Sequence, residues 1–340
     1  MAKKKILLVA HQRSGSNMFR AMLNTHPDIY VAPPLLVYDE LAIYKGKFPD
    51  LTQDENWLGL VDDAVRMANA NPHPLPVQIE TDEVQRRTAT LPRTLESLQD
   101  AIVDILTESQ CKRIPGVKFS TQPSRVAQFV EHCSWTHTLL LTRDPRDVIL
   151  SCLKAAFWKK GAFELADYWS RWHSTVVREL RKKEQEFHHV TYEGLLRDPN
   201  QVMAAVWQYL EVTHTDGYRE FFKGSEQSEA SATSEIWGNL DKPLMTGNTS
   251  KFYTEWGLFS LRKAEAILHE SMRRFGYEPG KLLRFRRLWR TPRLTTYSQN
   301  MTTADTPSNA LIREFEARYA KRGQAHHPVA GIRRAPEASA

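Results

Sequence analysis

The 340-residue chain holds only three cysteines, Cys111, Cys133 and Cys152, an odd number with no CxxC pair. That argues against a disulfide framework and a thiolate zinc site, and predicts free thiols. No apolar run approaches the ~18 residues that a membrane-spanning helix needs. The N-terminus, MAKKKILLVA, is basic and then apolar, but Ile6–Ala10 is shorter than a signal-peptide core of ~7–15 residues. It reads as a buried first strand, and a cytoplasmic protein without membrane association is expected. No internal repeat is visible.

What is present suits a soluble globular protein. Hydrophobic residues make up 41% and charged residues 25%, enough for a sizeable core. The length allows one large domain or two ordinary ones. The formal net charge is +6, and the stretch 281–293 carries six Lys or Arg with no acid. Such a run is most often a solvated segment, so no specific nucleic-acid partner is inferred from it. A basic balance suits an anionic ligand without saying which.

Short β-rich runs alternate with helical periods. Strands are expected at Ile6–Ala10, 29–31, 116–119, His137–Thr142 and Phe187–Thr191. Helices are expected at 16–23, around 58–68, at 94–108, 124–131, from a cap at Asp144 to about 158, and at 163–183, 200–210 and 260–275. Pro145 and Pro199 stand at first helical positions, and Gly276 closes the last helix. This alternation implies a three-layer α/β/α fold with a mostly parallel central sheet. The stretch 33–92 is rich in Pro, Asp and Asn and reads as an insertion or lid. The core unit spans 1–280. A basic extension, 281–340, follows, with its last ~25 residues expected to be mobile.

Two motifs carry chemistry. The first is ILLVAHQRSGSNMF, a strand, a tight turn and an immediate helix. Gly15 lets the backbone approach a ligand closely. The free N–H groups at the helix start form an anion site, to which Ser14, Ser16 and Asn17 add donors and Arg13 a planar cation. A Walker A loop needs GxxxxGK[ST]; one Gly and no following Lys exclude it, and with it the usual Mg²⁺ pattern. An ordinary β-turn-α connection explains the turn about as well. The second motif is Arg143-Asp-Pro-Arg-Asp-Val-Ile-Leu-Ser151. Arg143 lies at the carboxyl end of a strand, where open α/β sheets bind ligands, and Ser151 lies two turns into the next helix. An Arg with a hydroxyl suits a phosphate monoester. The plainer alternatives are an Arg143–Asp147 pair and a serine bonded back to its own helix.

Together, RSGSN after the first strand and RDPRDVILS resemble the sulfotransferases that use 3′-phosphoadenosine-5′-phosphosulfate (PAPS), a family with a P-loop-like fold. The resemblance implies that the first loop holds the 5′-phosphosulfate, and that Arg143 and Ser151 hold the 3′-phosphate. Gly116-Val117-Lys118 resembles the family strand with a Lys near the sulfate, and VTYEGLLRDP at 190–199 its YExLL-x-DP segment. NLDKPLMTGNTSKFYTEW resembles the late loop that returns a basic residue to the nucleotide. Lys251 is the first choice there, with Asn248 and Ser250 behind it. The likeness spans about 4–279. The implied cofactor-binding set is Arg13, Ser14, Gly15, Ser16, Asn17, Arg143, Ser151 and Lys251, with no metal.

The chain departs from the family at two places. Arg13 stands where a Lys is common, and Ser120 where many members carry the histidine base two residues after the strand Lys. The base must then come from elsewhere. Glu40 is chosen, with Asp39 and His11 as alternatives. The argument for Glu40 is its longer arm and the opposite directions that neighbours take on an extended segment. Arg13, Lys118 and Glu40 form the expected catalytic set, acting on a hydroxyl or amine acceptor: a small molecule, carbohydrate or lipid. The tryptophans and tyrosine of 157–172, including Trp158, Tyr168, Trp169 and Trp172, suit either a stacking surface or an amphipathic core helix. A nucleotide kinase is the competing enzyme class, and a non-catalytic nucleotide-binding protein the competing non-enzyme.

Overall fold

Runs such as Ile6–Ala10 and His137–Thr142 show no polar alternation, which suits strands covered on both faces. In the computed structural model, which describes residues 4–71, 73–120, 122–132, 135–155, 160–184, 186–233, 238–280 and 307–322, they are the centre of an all-parallel five-stranded sheet. The strands are β1 (Ile6–Ala10), β2 (Ile29–Ala32), β3 (Ile114–Phe119), β4 (His137–Thr142) and β5 (Phe187–Thr191). Their order is β2-β3-β1-β4-β5. The helices are α1 (Ser16–Asn24), α2 (Val37–Leu41), α3 (Asp54–Asn69), α4 (Thr81–Thr88), α5 (Leu95–Ser109), α6 (Pro123–His132), α7 (Pro145–Lys154) and α8 (Ala162–Lys182). They continue with α9 (Tyr192–Arg197), α10 (Pro199–Tyr209), α11 (Ser225–Thr233), α12 (Phe252–Glu255), α13 (Leu258–Arg274) and α14 (Pro307–Arg322).

Period-2 alternation sorts the strand residues into two cores. Ile6, Leu8, Leu139 and Leu141 pack under α1 and α10 with Phe19, Met203 and Trp207. Leu7, Val9, Val117 and Leu140 face the other layer, with Leu98, Phe129, Trp169, Trp172 and Leu268 of α5, α6, α8 and α13. The expected three layers are therefore present. From β1 the chain runs one way across the sheet to β2 and β3, then the other way to β4 and β5. That reversal puts a switch point between β1 and β4, whose ends are in register at Ala10 and Leu141. Open α/β sheets bind ligands in the crevice there.

The helix starts follow their caps. Thr94 accepts from Ser97 N–H, Asp144 from Arg146 N–H and Asp198 from Gln201 N–H. Gly276, at φ 80°, follows the end of α13 in the left-handed region. Helix α7 ends at Lys154, short of the expected 158; residues 156–159, Trp158 among them, lie outside the described residues. Trp169 and Trp172 are buried core residues, so the amphipathic-helix explanation of that stretch holds for them. Cys111 and Cys152 are free thiols, and Cys133 lies outside the described residues. No helix among the described residues is long and apolar enough to cross a membrane.

The 33–92 stretch contains α2, α3 and α4. Helix α14, which the sequence reading did not contain, docks on it. Phe315 is buried, Tyr319 packs its ring 5.5 Å from Tyr44 and 5.2 Å from Phe48, and Arg318 pairs with buried Asp63 at 2.5 Å. The basic run 281–293 and the tail beyond 322 lie outside the described residues.

Candidate active site

The first loop leaves β1 at Ala10 and enters α1 at Ser16. Arg13 (φ 66°) and Gly15 (φ 86°) both take left-handed backbone. A non-glycine residue there costs about 1–3 kcal/mol, a kind of strain that gathers at functional sites. Gly15 is needed for a second reason. A Cβ on it would lie 2.5 Å from Tyr192 Cδ2, because the Tyr192 ring from the start of α9 lies directly against the loop.

Arg143 follows β4 directly, as expected. Its guanidinium lies 4.5 Å from the centre of the Tyr192 ring and donates to the carbonyls of Arg13 (3.2 Å) and Asn248 (2.9 Å). Its Nε is buried with no partner. Arg13 reaches across the crevice, and its Nε donates to Ser151 Oγ at 3.0 Å. The two motifs thus meet: Arg13, Arg143 and Ser151 line one cleft of about 170 Å³ with Gly15, Ser16, Asn17, Tyr192 and Asn248. No carboxylate oxygen of the described residues lies within 4.0 Å of either guanidinium. Burial lowers the Arg13 pKa, and the like charge of Arg143 adds to this. An anion between them would relieve both effects. Ser14 is also buried, and its Oγ has no partner.

The Arg143–Asp147 pair does not form. Asp147 instead accepts from the backbone N–H groups of Ser250 (2.6 Å) and Phe252 (3.1 Å), pinning the late loop to α7. Asn248 Nδ2 donates to Tyr192 Oη at 2.7 Å. The late loop therefore lines the cleft through Asn239, Leu240, Lys242, Met245 and Asn248. Lys251 is not in that lining; it stands half-buried at the N-cap of α12. Lys242, within the same quoted stretch, is the cation that lines the cleft.

Lys118 near the end of β3 is buried. Its Nζ donates to Ser16 Oγ at 3.3 Å and Asn17 Oδ1 at 2.5 Å, and Ser16 Oγ lies 3.4 Å from Ser120 Oγ. Strand β3 and the start of α1 thus share one polar knot beside the first loop.

The candidate bases separate in space. Asp39 and Glu40 lie on α2, a helical turn entered through Leu36 at φ 62°. The alternation expected of an extended segment does not apply. The charge of Asp39 acts on Lys118. Glu40 instead faces Arg125 and Glu316 of α14, and burial raises its carboxyl above the usual range. His11 is buried against His173 (5.8 Å, stacked), Tyr168 and Trp172, and burial takes its pKa down to about 4. It is a packed residue at a strand end. A residue the sequence reading missed is His73, buried in the α3–α4 loop beside Lys118 and Arg20. Burial and those two cations take its pKa to about 2. Nothing local in the sequence ties it to Lys118.

Fold and site define an open parallel α/β protein whose switch-point crevice is lined by two guanidiniums. The chain belongs to the sulfotransferase family, whose model matches residues 5–216. The sulfotransferase domain of the curacin biosynthetic pathway is 18% identical with a TM-score of 0.53, over 82% of this chain and 99% of that one. The sulfotransferase domain of the Synechococcus PCC 7002 olefin synthase is 17% identical with a TM-score of 0.52, over 78% and 94%. At these identities the two structures speak to the shared fold. No curated protein matches the chain.

Proposed function

We propose that the protein transfers a sulfuryl group from PAPS to a hydroxyl or amine acceptor. The observation that carries this reading is that half-buried Arg13, bonded to Ser151, and buried Arg143 line one cleft, with no carboxylate oxygen of the described residues within 4.0 Å of either guanidinium. A ligand with two separated phosphate groups fits such a pair. Arg143 and Ser151 take the 3′-phosphate. Arg13, Lys118 and the N–H groups at the start of α1 take the phosphosulfate. The late loop, with Asn248 and Lys242, covers the nucleotide.

The acceptor oxygen or nitrogen attacks sulfur as the bond from sulfur to the 5′-phosphate oxygen breaks. The electron pair leaves with adenosine 3′,5′-bisphosphate. The transition state is loose, so charge grows on the equatorial and leaving oxygens. Lys118 and Arg13 are fixed donors for that charge. The acceptor's proton goes to a carboxylate of α2. What supports Asp39 over the expected Glu40 is that its charge bears on Lys118, whereas Glu40 looks toward α14. These side chains and loop amides supply the positive charge, so the reaction is written without a metal.

Calorimetry tests the reading. Adenosine 3′,5′-bisphosphate should bind at least tenfold more tightly than AMP, and Arg143→Ala should erase about 1.5–3 kcal/mol of that affinity. Equal affinities for the two nucleotides would refute it.

A further inference from the structure

The ammonium of Lys118 is only 5% exposed, yet its hydrogen-bond partners are the neutral oxygens of Ser16 and Asn17. No carboxylate oxygen among the described residues comes within 4.0 Å of it. A buried ammonium without a counter-anion is costly, and such a group sheds its proton instead. The charged and titratable groups around it come from four elements: Arg20 on α1, Asp39 on α2, Glu226 on α11 and His73 in the α3–α4 loop. Arg20 is itself tied to Glu226 by an ion pair, and Glu226 also acts on Lys112, so its charge is shared among three cations. His73 is held neutral. Asp39 acts on Lys118 only from beyond ion-pair distance.

We propose that Lys118 rests as the uncharged amine above neutral pH and captures one proton when the anionic sulfuryl donor binds. The inference rests on the nucleotide reading above. It is supported by the pKa of the group, which burial first and Arg20 second bring down to about 7. A donor carrying several negative charges beside Nζ reverses this balance, because a nearby anion favours the ammonium. The consequence is a positive charge that appears at the transfer centre only with the donor. The ligand-free protein then avoids burying an uncompensated ammonium within reach of the Arg20 charge. Donor affinity must fall as pH rises above about 7, because the proton that binding requires becomes scarcer.

Calorimetry of adenosine 3′,5′-bisphosphate at pH 8.5, in buffers of different ionisation enthalpy, counts the protons. The phosphates, with a second pKa near 6, are already ionised there. The wild type should take up close to one proton per nucleotide, and its affinity should drop about tenfold per pH unit above pH 8. In Lys118→Arg the guanidinium does not titrate, so uptake should vanish and the affinity should be flat with pH. Lys118→Met serves if the arginine is not accommodated, with the same loss of uptake. A second readout needs no nucleotide. In protein with ¹³C-labelled lysine, the Cε resonance missing from Lys118→Arg should titrate near pH 7 in the ligand-free protein. Binding without proton uptake, uptake that persists in both variants, or a ligand-free midpoint above 9 would each overturn the proposal and leave the nucleotide reading standing. Failure of the bisphosphate to bind at all would overturn that reading and the proposal with it.

Discussion

Substituting Gly15 by alanine tests the central geometry with a single methyl group. The residue is at φ 86°, where a Cβ costs about 1–2 kcal/mol. The added carbon would also sit 2.5 and 2.7 Å from two ring carbons of Tyr192. That ring is not free to yield, because its hydroxyl accepts from Asn248 and its face supports the Arg143 guanidinium. Overpacking of this kind costs about 1–3 kcal/mol. The sum, roughly 2–5 kcal/mol, should appear as a melting temperature lowered by several degrees. Either the loop or Tyr192 must move, and both line the cleft proposed to hold the nucleotide, so bisphosphate affinity should fall at least tenfold. Gly15→Ala combined with Tyr192→Leu removes the clash but keeps the backbone strain; it should regain part of the stability and none of the affinity. Gly59→Ala is the control. Its Cβ meets nothing within 4 Å inside helix α3, so it should stabilise by about 0.5–1 kcal/mol. Thermal melts and calorimetry on the four proteins read all of this. A Gly15→Ala protein that melts and binds like the wild type would refute the account of the loop.

Asp39→Asn should lower kcat by ~10²–10⁴-fold with bisphosphate affinity little changed, while Glu40→Gln stays near wild type; the reverse result in a steady-state assay returns the role to Glu40. Sulfuryl transfer from radiolabelled PAPS should survive EDTA, and a strict Mg²⁺ requirement would favour a kinase-like site instead. Acid should unfold the protein through its buried histidines. His11 and His189 are held neutral, with pKa values brought down to about 4 by burial from an ordinary 6.5. The unfolded chain binds the extra protons, so stability is fully present above pH 6.5 and is lost as pH falls toward 4, by about 3 kcal/mol for His11 alone. Denaturant midpoints that stay flat from pH 7 to 4.5 would contradict this.

The parts of the fold legible in the sequence are those whose cause is local. Ile6–Ala10 and His137–Thr142 announce central strands because a strand buried on both faces has no polar alternation to hide. Thr94, Asp144, Asp198 and Gly276 mark helix ends through bonds to residues two or three away, or through their own φ. Helix α2 was not legible for the complementary reason. Five residues are too short to show a period, and its two carboxylates looked like a polar turn. Helix α14 did carry a signal, the i,i+4 series Leu311, Phe315 and Tyr319, set in a composition that read as tail.

The site divides along the same line. The cleft lining comes from residues within a few positions of two strand ends, so Arg13, Gly15, Ser16, Arg143 and Ser151 are all readable from two short stretches. The proton acceptor and the electrostatic setting of Lys118 are made differently. Asp39, His73, Arg20 and Glu226 reach that lysine from four separate segments, none at a spacing that points to it. Ser120 stands where many members of the family carry the histidine base. Once the residue two positions after Lys118 is a serine bonded to Ser16, strand β3 has no group left to take a proton. In the proposed mechanism the base is delivered by tertiary packing from α2, and packing of that range leaves no local mark in the sequence. The same division explains the late loop. Its backbone is fixed by Asp147 and its Asn248 side chain by Tyr192, both far away in the chain, so nothing local in the sequence says that Lys242 rather than Lys251 lines the cleft.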